Sequence, residues 1–246
     1  MERTMERTAN FLPREQEGGA PARVANEVVT LTAPASVGAE QYRTLYYRLE
    51  RLRALKPMPL VGLTSAVPGE GKTLTSVNLA LTAARAAPER RILLVDADLR
   101  RGRVAETLGI REAPGLAELL AGECQIPDAV RRFHSTRLAV VPAGRAPEEA
   151  TRLLSSGKMR ELLTAMRANF EEIYLDLPPT LPYADASIVG SQVDGMLMVV
   201  RAHRTPGRVI EQACESLSGT PLVGCVLNGT RELSPGYPPA TRRQLR

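Results

Sequence analysis

The residues best suited to chemistry are a lysine and a threonine that follow a glycine-rich turn, and three aspartates that end two apolar runs. Residues 60–65 read as an apolar strand, 66–71 as the turn, and Lys72-Thr73 as the opening of a helix. A turn of this composition lets backbone N–H groups close on phosphate oxygens, and the helix N-terminus adds its partial positive charge. Lys72 can then reach β- and γ-phosphates, and the Thr73 hydroxyl can ligate magnesium. Pro68, Gly69, Glu70, Gly71, Lys72, Thr73 and Leu74 are therefore candidate nucleotide-binding residues. The first glycine usual in such a turn is Ala66 here, small enough to keep the mechanics.

The aspartates follow apolar triplets: residues 93–95 run into Asp96-Ala97-Asp98-Leu99-Arg100, and 173–175 into Asp176-Leu177-Pro178-Pro179. Strand alternation turns Asp96 and Asp98 to the same side. Magnesium takes one or two carboxylates plus phosphate oxygens and keeps several waters, so Thr73 is expected as a direct ligand, with Asp98 and Asp176 direct or through water. Asp96 is left to accept a proton from an attacking hydroxyl or to hold a water, and the spacing does not separate these. Lys72, Asp96, Asp98 and Asp176 are the candidate catalytic set. Arg100 either pairs with a carboxylate or reaches a phosphate.

Such groups need a scaffold. After Pro59, short continuous apolar runs (60–63, 92–95, 138–141, 173–175, 196–200 and 222–227) alternate with helical segments near 72–86, 114–121, 147–169 with a break around Ser155 to Gly157, 183–190 and 206–217. Runs apolar on both faces mean strands buried on both faces, which predicts a mainly parallel sheet between helical layers. Ligands then bind beyond the carboxyl ends of the strands, where the glycine-rich turn sits. Ahead of the sheet, Tyr42, Leu45, Leu49 and Leu52 fall on one stripe of a helix over about 39–55. Residues 1–36 mix charges, Gly18-Gly19 and prolines without a period and read as a flexible arm, and 231–246 read as a short basic tail.

Length and composition bound the rest. A chain of 246 residues, 43% hydrophobic, can build one substantial α/β core. Its longest apolar stretch is too short to cross a bilayer and its start lacks a secretory segment, so a cytoplasmic protein is expected, at the membrane's inner face only through a partner. The net charge of +5 suits acidic partners, but no basic stripe with interleaved aromatics stands out and no nucleic-acid role is expected. Cys124, Cys214 and Cys225 lack metal spacing and read as buried thiols, and His134 and His203 stand far apart.

The order of motifs resembles the cytoplasmic domain of bacterial tyrosine kinases of capsule and exopolysaccharide assembly, within a P-loop class that also holds partitioning ATPases. The resemblance rests on residues 68–73 followed by Asn78-Leu79-Ala80, on the D-x-D-x-R run ending at Arg100, and on D-x-P-P at Asp176 to Pro179. Further matches are Pro114-Gly115-Leu116, residues 138–144, Leu153-Leu154-Ser155-Ser156, Asp185-Ala186 and Gly224 to Asn228, so that about 37–230 is covered. It implies a three-layer P-loop fold, ATP and Mg2+ as cofactors, Asn228 beside the adenine, and transfer of the γ-phosphoryl group to tyrosine, largely between copies of the chain. It also implies self-association and activation by a membrane-embedded polysaccharide chain-length regulator.

The sequence departs from that pattern in places. Where the family's ring-forming helix carries E-x-x-R-x-x-R, Glu40 and Arg43 are followed by Tyr46, and Arg48 comes two places late, a rotation of about 200°. The tail offers Tyr237 alone as a phospho-acceptor candidate, and Leu177 stands where a small hydroxyl residue is usual. The alternatives are a catalytically weak, nucleotide-dependent assembly switch of the same export system and a partitioning or positioning ATPase, although that class places a second lysine where Val67 stands.

Overall fold

The computed structural model describes residues 23–133 and 136–230. Tyr237, His134 and the basic tail lie outside the described residues. Strands β1 (Leu60–Ser65), β2 (Ile92–Asp96), β3 (Arg131–Arg132), β4 (Leu138–Val141), β5 (Glu172–Asp176), β6 (Gly195–Arg201) and β7 (Leu222–Asn228) form a sheet of order β3-β4-β2-β5-β1-β6-β7. All neighbours pair in parallel except β3 with β4. β1, β2, β4 and β5 are buried throughout, as their unbroken apolarity requires.

The helices are α1 (Val29–Thr32), α2 (Val37–Leu55), α3 (Lys72–Ala86), α4 (Val104–Leu108), α5 (Leu116–Ala121), α6 (Ile126–Ala129), α7 (Ala150–Leu154), α8 (Gly157–Asn169), α9 (Asp185–Gly190) and α10 (Gly207–Ser216). They cover both faces of the sheet. Leu116, Leu154, Met159 and Ala213 pack with Leu93, Ile173 and Met198 on one side, while Tyr46, Leu49, Val77 and Leu81 pack with Val61, Leu94 and Tyr174 on the other. The break expected near residue 155 is real, with Ser156 accepting the Met159 N–H at 3.2 Å to start α8.

Three features differ from what the sequence predicts. Residues 24–36 are not a loose arm: Val28 is fully buried, and Thr30 N donates to Asn78 Oδ1 at 3.0 Å on α3. On α2 the buried positions are Ala39, Tyr46 and Leu49, while Leu52 is exposed and Tyr42 is half-buried. The helix turns Tyr46 inward because Glu172, at the start of β5, accepts its hydroxyl at 3.3 Å and the Arg53 guanidinium at 2.5 Å. The three cysteines are free thiols, but Cys225 is exposed and the other two are half-buried. Among the described residues, no helix is long and apolar enough to cross a membrane.

Candidate active site

β1, β2 and β5 lie side by side and end together, which carries Ser65, Asp96 and Asp176 to one edge of the sheet. The turn after β1 needs glycine twice. Gly69 and Gly71 have φ of 84° and 89°, and a Cβ on Gly71 would come within 2.0 Å of Asn228 Nδ2. Gly71 thereby caps α3, whose first residue is Lys72.

Lys72 is the hub. Its Nζ lies 3.2 Å from Asp98 Oδ2 and 3.3 Å from Asp176 Oδ2. Burial lowers the pKa of its ammonium, and the charges of Asp176 and Asp98 more than offset this, so the net shift is upward. Asp176 is fully buried and also accepts from Thr73 Oγ1 at 2.7 Å and Ser76 Oγ at 2.9 Å. Ser76 escaped the sequence reading, although its place one turn after Lys72 puts it on the same helix face. Burial raises the pKa of Asp176 in spite of these partners.

Asp96 is fully buried, and its two oxygens accept Val104 N at 2.9 Å and Asp98 N at 3.2 Å. Burial, and then the nearby Asp176 charge, push its pKa up to about 8. Its carboxylate braces the turn that presents Asp98 and does not line the cavity.

That cavity, about 570 Å³, is lined by residues 68–74 together with Asp98, Arg101, Arg103, Pro179 and Tyr183. Arg100 takes the carboxylate alternative, bonding Asp185 Oδ2 and Thr151 Oγ1 at 2.7 Å each, with its guanidinium 4.2 Å over the Tyr183 ring. Leu177 is fully buried and packs toward Gly62, away from the cavity. Asn228 Nδ2 donates to Glu70 O at 2.8 Å, tying the end of β7 to the loop. A second groove, between α2 and β7, is lined by Tyr42, Arg48, Thr75 and Asn228 among others.

The donor set suits a hard divalent cation: a hydroxyl on Thr73 and carboxylates on Asp98 and Asp176, all within one lysine's reach. Among the described residues, no group of three or more His, Cys, Asp or Glu is placed to hold a metal ion alone. Such a site fits a cation that brings phosphate oxygens with it.

A family model described as an AAA domain matches residues 61–204. The tyrosine-protein kinase YwqD of Bacillus subtilis is 34% identical over 212 residues, spanning 85% of this chain and 89% of that protein. The chain belongs to the bacterial tyrosine-protein kinase family. The succinoglycan biosynthesis transport protein ExoP of Rhizobium meliloti is 32% identical over 82% of the chain, which spans only 26% of that relative's length. Among solved structures, the kinase domain of Escherichia coli tyrosine kinase ETK superposes with a TM-score of 0.81 at 28% identity, covering 92% of this chain and 88% of that one. Of these relatives, two are named as tyrosine kinases and one as a succinoglycan biosynthesis transport protein, and the fold is that of the ETK kinase domain.

Proposed function

We propose that this protein binds ATP with magnesium in the cavity at the head of α3 and transfers the γ-phosphoryl group to tyrosine, as a regulator of exopolysaccharide or capsule polymerisation and export. The observation that carries the reading is the sharing of the Lys72 ammonium between Asp98 and Asp176, with the Thr73 hydroxyl on the same Asp176 oxygen.

In this reading the backbone N–H groups of residues 68–74 and the start of α3 hold the phosphates, and Lys72 moves its charge from the two carboxylates to the β- and γ-phosphates. Thr73, Asp98 and Asp176 hold magnesium, directly or through water, and the metal supplies charge neutralisation of the transferring group. Ser76 keeps Asp176 oriented, and Asp96 keeps Asp98 oriented through the backbone. The base lies toward Asn228. Catalysis comes from positioning and charge neutralisation, with no covalent intermediate on the protein.

The partner is a membrane polysaccharide chain-length regulator that recruits the protein to the inner face of the membrane and completes the site, and copies of the chain associate and phosphorylate one another. Tyr237 is the proposed acceptor. Incubation with magnesium and labelled ATP, with and without the regulator's cytoplasmic segment, tests this. Label on tyrosine that disappears in Lys72→Met and falls in Tyr237→Phe is expected. Phosphate release without protein labelling would instead make the protein an ATPase.

A further inference from the structure

Glu70 puts a carboxylate into a loop built to hold a polyanion. That charge opposes phosphate binding, so its presence calls for another reason. The side chain is buried, and its oxygens accept from neutral donors: Val67 N at 3.0 Å, Arg201 N at 3.2 Å and Thr205 Oγ1 at 2.5 Å. Val67 lies in the loop itself, whereas Arg201 ends β6 and Thr205 belongs to the turn before α10.

These bonds close a circuit. Ala202 N donates to Asn228 O at 2.8 Å, and Asn228 Nδ2 returns to Glu70 O at 2.8 Å. The phosphate loop and the ends of β6 and β7 are thus joined by the Glu70 and Asn228 side chains and by one backbone bond. The bracketed turn also holds His203 at φ 59°, a left-handed conformation that a non-glycine residue keeps only where its surroundings hold it. The Arg201 guanidinium covers Gly229, so the β7 end is gripped from both sides.

Resting on the nucleotide-site reading above, we propose that Glu70 is a positioning residue. Its carboxylate clasps the phosphate loop to Arg201 and Thr205, and so sets the affinity of the loop for the triphosphate. The loop is pre-formed, and each clasp bond lowers the cost of ordering it when nucleotide binds. Thr205 is the sharper probe because it is absent from the cavity wall among the described residues.

The test uses the full chain, with MgATP binding followed by calorimetry, and KM for ATP and kcat measured on a tyrosine-containing polymer. Thr205→Val is expected to raise both Kd and KM by about fivefold to tenfold while leaving kcat within about twofold, the share of one charge-assisted hydrogen bond that is passed on to binding rather than to folding. Thr205→Ser should restore both. Glu70→Gln removes a charge that opposes phosphate along with a clasp acceptor, so it serves as the background: adding Thr205→Val to it should change KM far less than in the wild type, because the two share one network. If the wild type binds and Thr205→Val binds equally well, or if the serine variant fails to rescue, the clasp is overturned whatever happens to the melting temperature. If the wild type takes up no MgATP, the nucleotide-site reading itself fails.

Discussion

Lys72 stands largely buried between two buried carboxylates at the cavity wall, and this arrangement has a cost as well as a use. Asp98 and Asp176 are held close only because the ammonium offsets their repulsion, and Thr73 and Ser76 fill the remaining acceptor positions of Asp176. Lys72→Met should therefore do more than stop phosphoryl transfer. It leaves buried carboxylates without a cation and should lower the stability of the nucleotide-free protein by about 3–5 kcal/mol, read from urea unfolding. At Gly71 the constraint is steric. Gly71→Ala places a methyl in the left-handed region and against Asn228, so ATP binding should fall at least about tenfold while far-UV circular dichroism stays unchanged.

Two helices outside the cavity wall are each pinned by a buried glutamate. α2 is fastened to the start of β5 by Glu172, which accepts from Arg53 at 2.5 Å, Arg90 at 2.8 Å and Tyr174 at 2.7 Å, as well as from Tyr46. Glu172→Ala removes the acceptor these groups share, while Arg53 keeps Glu50 at 2.8 Å, and a loss of about 1–3 kcal/mol in denaturant unfolding is expected. α5 is held by Glu118, whose oxygens accept Gly115 N at 2.8 Å and Arg145 N at 3.1 Å, joining the helix start to the segment after β4. Burial pushes the Glu118 pKa up, but these N–H groups and the Arg145 guanidinium outweigh it and hold the carboxyl below its ordinary value. A depressed folded pKa means that the carboxylate stabilises the fold fully above the ordinary glutamate value and loses that contribution as pH falls through the folded one. Melting curves should show an acid-side loss between about pH 5 and pH 3 that is shallower in Glu118→Gln, which should also be about 1–3 kcal/mol less stable at pH 7.

At the scale of the whole molecule, the segment before α2 belongs to the body of the kinase. Asn78 is its anchor: Oδ1 accepts Thr30 N at 3.0 Å, and Nδ2 donates to Glu27 O at 3.2 Å and Leu74 O at 2.9 Å. Because Asn78 sits on α3 and Ala25 and Glu27 help line the cavity, this clasp ties the segment to the helix that carries Lys72. Asn78→Ala should cost about 2–3 kcal/mol and hasten cleavage within residues 24–36 by a protease of broad specificity, and bound MgATP should slow that cleavage.

The parallel sheet and the place of the phosphate loop are legible from the chain alone. Strands buried on both faces must be apolar at every position, and a glycine-rich turn between such a strand and a helix has few other uses. The expected helix over 72–86 coincides with Lys72–Ala86, and Lys72, Thr73, Asp98 and Asp176 meet as the motif order implies. Other matters waited on the fold. Tyr42 and Tyr46 lie four residues apart on one helix, and local periodicity ranks the first as core. The buried Glu172 on a strand distant in sequence decides for the second. In the same way, nothing local shows that Asp96 is sealed behind Val104 or that Glu70 turns from the phosphates to Arg201 and Thr205. Apolar spacing records how much of an element is buried, whereas the partner of a buried polar group is chosen by whichever donor the tertiary packing brings within hydrogen-bond distance.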